Sequence, residues 1–191
     1  MSVVDEMPTF IRALHKFLGK WKTACLATVD EAAAPHAANI QYAHDRADDR
    51  LRLYFVSSPE SAHSRHIAGN AVVAVTIYAH VRRPDHIHGL QIHGRCAVVA
   101  KPSAAWDDAW RVYSAKYPFV KVPPLRNRFM AESFYCVTPT WVRFIDNRRG
   151  FGFKQECTFE NTGSGSGALD SQTAVIESDH EANTGEDLRS A

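Results

Sequence analysis

Six short segments with strand character dominate the chain and constrain its fold most strongly. In order they read TACLATVD, HAANIQYA, LRLYFVSS, AVVAVTIY, GLQIHGRCAVVA and SFYCVTPTWVRFIDN. β-branched and aromatic residues alternating with polar ones are typical of strands, and turn residues such as Asp30, Pro59 and the run 45–49 separate the segments. Because long helices between them are largely missing, the pattern argues against a doubly wound parallel sheet and predicts a mainly β, antiparallel barrel.

Two amphipathic helices accompany the strands. Apolar residues recur at helical spacing from Phe10 to Trp21, with Thr9 as a candidate cap and Gly19 near the end. A second helix is predicted after Ser103, and its aromatic stripe is interpreted as packing rather than as a ligand cage. The stripe consists of Trp106, Trp110, Tyr113 and Tyr117.

The composition predicts one folded domain and a tail. A chain of 191 residues with 45% hydrophobic content can bury one sizeable core, which we assign to residues 1–158, followed by a tail, residues 159–191. No run approaches the length of a membrane helix and no signal-peptide pattern is present, so we expect a cytoplasmic protein without a membrane partner. The cysteines lie far apart without a CxxC pair, which predicts free thiols and no zinc site.

Tail and body carry opposite charge. Residues 159–191 contain seven acidic residues and one arginine, a net charge of −6, so the rest of the chain carries +7 when the whole carries +1. The tail is poor in large apolar residues and rich in Gly, Ser and Thr, which predicts disorder. The positive body suits an anionic small molecule, whereas its Lys and Arg residues are too scattered to predict a nucleic-acid partner.

Residues 51–78 form the strongest candidate for an anion site. They read as a strand, a hydroxyl-rich turn, a short basic helix and a second strand. The helix start offers main-chain N–H groups to a phosphate, and Ser57, Ser61, His63 and Arg65 can add donors. The alternative is an ordinary N-capped helix between two strands. Spacing alone favours that alternative, because Ser-rich turns before helices are common.

No pattern identifies a catalytic residue. Neither GxSxG nor HExxH occurs, and the GSGSG run lies in the tail without a preceding strand. His86 and His88 share one face of a strand but have no third ligand at a suitable spacing, so no metal site is predicted. Gln91 lies in the strand GLQIHG, where its amide either meets a heterocycle edge or faces solvent. The segment FIDNRRGFGFK is either a turn or a basic loop.

Four segments, taken in order, resemble the flavin-binding split-barrel family typified by pyridoxamine 5′-phosphate oxidase, and most closely a bacterial branch of it. They are PHAANIQYAHD, LYFVSSPESAHSRHIAGNAVVAVTI, IHGLQIHGR and WVRFIDNRRGFGFK, within residues 23–154. The resemblance implies a six-stranded antiparallel split β-barrel with flanking helices. It also implies a homodimer that binds flavin mononucleotide (FMN) in clefts at the subunit interface.

The resemblance further implies which residues contact the flavin ring. In the oxidases a strand contacts the isoalloxazine ring through main-chain groups, and the corresponding residues are Ala38, Asn39 and Ile40. Gln91 resembles a strand glutamine that lies near the flavin in relatives. Lys154 lies near the position of a later basic flavin contact.

The same family holds the flavin phosphate with a Thr and a Ser-Arg-Lys triplet. Those positions correspond to Ser57 and to Ser61-Ala62-His63. The family Arg is therefore Ala here, and the family Lys is His. Arg65, four residues after Ser61 and on about the same helix face, is a candidate to restore the lost charge.

From these residues we expect an FMN-binding flavoprotein that acts as an oxidoreductase on an unidentified small molecule. FIDNRRGFGFK lacks the late Arg-x-His pair with which the oxidases grip their substrate, so pyridoxamine phosphate oxidase activity itself is not expected. The alternative is a non-enzymatic ligand-binding or sensor split barrel that holds heme, a deazaflavin or no flavin. The histidines make heme conceivable, because one of them could be an axial ligand.

Overall fold

The computed structural model of the chain describes residues 3–45, 51–162 and 171–177. These residues form eight strands and four α-helices. The strands are β1 (Thr23–Val29), β2 (Pro35–His44), β3 (Leu53–Ser57), β4 (Val72–Tyr78), β5 (His88–Val98), β6 (Ser133–Asp146), β7 (Lys154–Thr162) and β8 (Ser171–Glu177). The helices are α1 (Val3–Lys20), α2 (Ala62–Gly69), α3 (Ala104–Lys116) and α4 (Leu125–Ala131).

Strands β1 to β6 form a closed antiparallel barrel. The strand order is β3-β2-β1-β4-β5-β6, and the pairing of β3 with β6 closes the ring. β7 pairs with the second half of β6, and β8 pairs with β7, so both extend the sheet beyond the barrel. The six-stranded split barrel predicted above is confirmed, and its six strands correspond to the six segments predicted from the sequence.

Inward-facing side chains of the strands build the main core. Alternate residues point into the barrel because successive strand residues face opposite sides, as β1 shows with Ala24, Leu26 and Thr28 buried. Helix α1 packs onto the same core. Its buried residues follow the predicted helical spacing and include Phe10, Leu14, Phe17 and Leu18.

Helix α1 starts earlier than predicted. It begins at Val3, so Thr9 lies inside the helix and is not its cap. The Thr9 hydroxyl instead accepts a hydrogen bond from the Arg12 side chain at 3.2 Å. A helix start is among the weakest signals in a sequence, since a polar residue that could cap a helix can equally lie on the exposed face within one.

A second core lies outside the barrel, where α3 covers β2, β3 and β6. Ser103 caps α3 as predicted, accepting from the Trp106 N–H at 3.1 Å. Trp106 and Tyr113 are buried against Phe134 with their rings edge-on. The aromatic stripe is therefore packing, which agrees with the interpretation from the sequence.

Lys116, the last residue of α3, ties this second core to α1. Its ammonium donates to the main-chain oxygens of Leu18 and Trp21 at 2.9 and 2.7 Å. It also lies 4.0 Å from the ring centroid of Tyr42. The Tyr42 hydroxyl also donates to the Leu18 oxygen at 3.0 Å, so both side chains bond main-chain oxygens at or just after the end of α1.

The structure describes part of the predicted tail. Residues 171–177 form β8, which pairs with β7 from Glu156 opposite Glu177 to Thr162 opposite Ser171. This differs from the disorder expected for residues 159–191. The segment QTAVI contains β-branched residues, which favour a strand when an open edge such as that of β7 is available. Residues 163–170 and 178–191 lie outside the described residues.

Two expectations from the composition can be compared with the structure. All four cysteines are free thiols, as their spacing predicts. In the part of the chain that the structure describes, the helices are too short or too polar to cross a membrane.

Gly94 should be essential for the pairing of β5 with β6. The register shifts between His93 and Gly94, and a Cβ at Gly94 would lie 2.5 Å from the main-chain oxygen of Thr138. Gly94→Ala should therefore lower the free energy of unfolding by about 1–3 kcal/mol, measured by urea denaturation. Gly69→Ala is the matched control, because a Cβ there meets nothing within 4 Å. Equal stability of the two variants would contradict this account.

Candidate functional site

The barrel splits between β2 and β3. These strands pair only over Tyr42–His44 and Leu53–Phe55. Beyond this point β3 continues to Ser57 along β6, whereas residues 35–41 of β2 pair with β1 alone. In the described sheet, the other edge of β2 is therefore open over these residues, and α2 begins just after the end of β3. We call the space between this edge and the start of α2 the cleft.

Three serines and a histidine form a hydrogen-bonded cluster at the cleft. Ser57 Oγ lies 2.8 Å from His63 Nε2 and 3.1 Å from Ser61 Oγ. Ser61 caps α2: its hydroxyl accepts from the Ser64 N–H at 3.3 Å and lies 2.8 Å from Ser64 Oγ. The predicted residues Ser57, Ser61 and His63 are thus brought together, which spacing alone could not establish because the turn 58–60 separates them.

The open edge of β2 exposes main-chain groups of alternate residues. The Tyr42 N–H donates to Lys22 at 3.3 Å, toward β1. Because the direction of these groups alternates along a strand, those of Ile40 and Ala38 also face β1, and those of Asn39 face the open edge. The Ile40 side chain is buried in the barrel. Of the three residues predicted to meet a flavin ring, Asn39 therefore has the accessible main chain.

Two further histidines lie near His63. The rings of His36 in β2 and His66 in α2 are perpendicular, with centroids 5.4 Å apart. His66 Nδ1 lies 3.0 Å from Thr28 Oγ1. Burial, and then the nearby His36 and His66, lower the pKa of His63 from its usual 6.5. His63 is therefore held mainly in its neutral form at neutral pH.

Arg65 does not join the serine cluster by a hydrogen bond. Its guanidinium donates to the main-chain oxygen of Glu60. The side chain lines a groove of about 710 Å³ between α2 and the turn that joins β1 to β2. Asp30 and Glu31 of that turn line the same groove. The predicted role of Arg65 in restoring the lost family charge stays a prediction.

A second polar cluster lies on the outer face of β5, β6 and β7. Arg143 pairs with the Glu156 carboxylate at 2.7 Å and donates to Gln91 Oε1 at 3.4 Å. The Trp141 indole N–H donates to the other oxygen of Glu156 at 3.0 Å, and the His93 ring stacks on Trp141 at 4.6 Å. Glu156 thus fixes two side chains at once and orients the amide of Gln91 through Arg143.

The two clusters are separate within one chain. The pairings Asn39–Cys25, Cys25–Thr76 and Thr76–Gln91 place Gln91 three strands away from Asn39. At the usual spacing of neighbouring strands this is about 14 Å. Lys154, opposite Ile145 on β6, lies farther along the sheet. The predicted site residues therefore form a cleft group and an outer-face group, the latter containing Gln91 and Lys154.

Sequence analysis missed Trp141, Arg143 and Glu156. Their association depends on the register between β6 and β7, and β7 was not predicted as a strand. The available signal was the alternation in QECTF, where Cys157 and Phe159 are buried and Glu156 faces outward. The nearby acidic tail obscured that signal.

A closed barrel with an open strand edge beside a hydroxyl-capped helix defines a split-barrel protein. The family model described as pyridoxamine 5′-phosphate oxidase matches residues 10–146, and the chain belongs to this family. A curated relative from Cronobacter sakazakii, described as a UPF0306 protein, is 28% identical over 143 residues, which cover 74% of this chain and 90% of the relative.

Solved structures with the same fold are more distant in sequence. A conserved hypothetical protein from Mycobacterium tuberculosis is 19% identical with a TM-score of 0.57, over 72% of this chain and 85% of that protein. A heme binding protein from Mycobacterium smegmatis is 15% identical with a TM-score of 0.63, over 78% of this chain and 57% of that protein. These likenesses concern the fold.

The environment of His63 predicts how stability depends on pH. Because the pKa of His63 is lowered in the folded chain, the unfolded chain binds its proton more readily, and stability is lost as pH falls through the unfolded value of 6.5. His63→Gln should reduce this loss, measured by the melting temperature between neutral and mildly acidic pH. His80→Gln, at an exposed position, is the control and should behave as the unaltered chain. A loss as steep in His63→Gln would refute the assignment.

Proposed function

We propose that the chain binds FMN in the cleft and acts as an FMN-dependent oxidoreductase on a small molecule. The observation that carries the proposal is the cluster of Ser57, Ser61 and His63 at the start of α2, beside the open edge of β2. Hydroxyls, an imidazole and helix N–H groups together supply donors for a phosphate. The edge at Asn39 supplies a main-chain donor and acceptor for a flat heterocycle.

The residues of the cleft fit the two ends of FMN. A phosphate placed on Ser57 and Ser61 meets uncharged donors and one titratable group, within a body that carries net positive charge. Bound FMN would supply the redox chemistry, while the chain positions it and tunes its surroundings. We do not expect pyridoxamine phosphate to be the substrate, because the paired arginines Arg148 and Arg149 are not followed by the family's Arg-x-His pattern.

Heme is the second candidate, and the observation that favours it is the fold likeness to the mycobacterial heme binding protein. Near the cleft, His63 Nε2 and His66 Nδ1 each lie within hydrogen-bond distance of a hydroxyl, so an axial ligand would have to use the other ring nitrogen of either histidine. The visible absorption spectrum of the purified protein separates the two cofactors.

The phosphate end of the site can be tested by comparing FMN with riboflavin, which lacks the phosphate. We expect tighter binding of FMN, measured by quenching of flavin fluorescence. Ser57→Ala should cost about 1.5–3 kcal/mol of FMN binding, as for a hydrogen bond to a charged group, and should leave riboflavin binding unchanged. Ser58→Ala is the control, because the Ser58 hydroxyl accepts from the Glu60 N–H within the turn. Equal affinity for both flavins would reject the phosphate assignment.

We also propose that the protein is a homodimer, because the outer-face group can complete the cleft of a second copy. The outer face has a row of small side chains, Ala37, Ala27 and Ala74, on neighbouring strands. Val72 and Tyr78 of β4 are 55% and 71% exposed beside it. A second copy packed on this face would bring Gln91 and Lys154 of one protomer toward the partner's cleft.

Ala74→Arg should separate the protomers, because it places a charged side chain in the middle of the alanine row. Sedimentation should then report a monomer, and FMN affinity should fall at least about tenfold if the site is shared. Ala131→Arg, at the exposed end of α4, is the matched control and should stay dimeric. A wild-type monomer that binds FMN fully would contradict the shared site.

A further inference from the structure

The serine cluster has one titratable side chain in hydrogen-bond contact, at the place where the resemblance implies two permanent cations. Ala62 and His63 occupy the positions of the family Arg and Lys, and Arg65 is held by the Glu60 main chain. Within the described cluster, the groups in hydrogen-bond contact with His63 and Ser61 are hydroxyls, which carry no charge. The charge available to a phosphate at this position is therefore that of the His63 imidazole.

The surroundings keep that imidazole neutral while the cleft holds no anion. The ring is half-buried, with Phe55 of β3 at 6.1 Å and the Ser57 hydroxyl at its Nε2. The titratable groups that act on it are His36 from β2 and His66 from α2. Neither offers a negative charge, and protonation of either opposes protonation of His63. A phosphate in the cleft would reverse this balance.

We propose that FMN binds together with a proton, which His63 takes up, so that the site selects the phosphate by coupling it to protonation. This inference rests on the proposed function. In its neutral form, the imidazole can accept a hydrogen bond from the Ser57 O–H at Nε2. Once protonated, Nε2 must donate to Ser57, and the Ser57 O–H is then released to donate to the phosphate. A single proton thus supplies both a positive charge and an additional donor.

The coupling of FMN binding to protonation predicts how FMN affinity changes with pH. A phosphate monoester is a dianion above a pKa of about 6, so at neutral pH the ligand does not itself need the proton. As pH rises above the ordinary range of histidine, proton uptake becomes more costly, and FMN affinity should fall by up to about tenfold per pH unit until the protonated complex is no longer favoured. Riboflavin has no phosphate, so its affinity should lack this dependence.

The first experiment measures the affinities of FMN and riboflavin at about pH 6.5 and about pH 8.5. The affinity for FMN divided by the affinity for riboflavin should fall at least about tenfold from the lower to the higher pH in the unaltered chain. His63→Lys should keep a high ratio at both pH values, since a lysine stays charged, and His63→Gln should keep a low one. His80→Gln should behave as the unaltered chain.

The second experiment measures proton uptake directly, by calorimetry of FMN binding in two buffers with different heats of ionisation. Near neutral pH, FMN should take up a substantial fraction of a proton, and riboflavin none. The uptake should be absent in His63→Lys and His63→Gln. This measurement does not depend on catalysis. It distinguishes a loss of proton uptake from a general loss of stability in the variant.

Three results would overturn the inference. A ratio that is independent of pH in the unaltered chain, with FMN still preferred, would reject proton coupling and leave the phosphate site in place. Proton uptake that persists in His63→Gln would place the proton on another group, such as His36 or His66. Equal affinity for FMN and riboflavin at both pH values would reject the phosphate site itself, and the inference with it.

Discussion

β3 is five residues long and pairs with two strands, and the geometry of the barrel depends on how it is shared. All of β3 pairs with β6, which closes the ring, while only Leu53–Phe55 pair with β2. The last two residues of β3 therefore pair with β6 only, and residues 35–41 of β2 pair with β1 only. The open edge and the cleft follow directly from this division. Barrel closure and site formation are thus consequences of one pairing.

The chemistry of the cleft is built from neutral donors. Ser57, Ser61 and Ser64 form a chain of hydroxyls that ends at the helix start, and His63 is its one titratable member in the described contacts. Such a chain can reorient its protons without moving heavy atoms, because hydroxyl hydrogens rotate. By contrast, the outer-face cluster is charged and rigid, with Arg143 and Glu156 locked to each other.

The sequence predicted local features well and long-range ones poorly. The strands β1 to β6 were identified because their alternation is a local signal, and Ser103 was identified as a cap for the same reason. The ion pair between Arg143 and Glu156 was missed because it depends on the register of strands that the sequence cannot align. The predicted site residues stay predictions, and their division into two groups could not be read from the sequence, because the three strands between Gln91 and Asn39 are set by the sheet pairing. β8 was missed because its short β-branched run lies within the polar, acidic tail and its partner strand β7 was not predicted either.

The hydrogen bonds of Lys116 have a consequence for how the protein folds during its synthesis. The main-chain oxygens of Leu18 and Trp21 receive this ammonium group from a residue nearly a hundred positions later. During synthesis, the first helix therefore emerges long before this ammonium group, so the contacts at its end can be completed only after the third helix has been made.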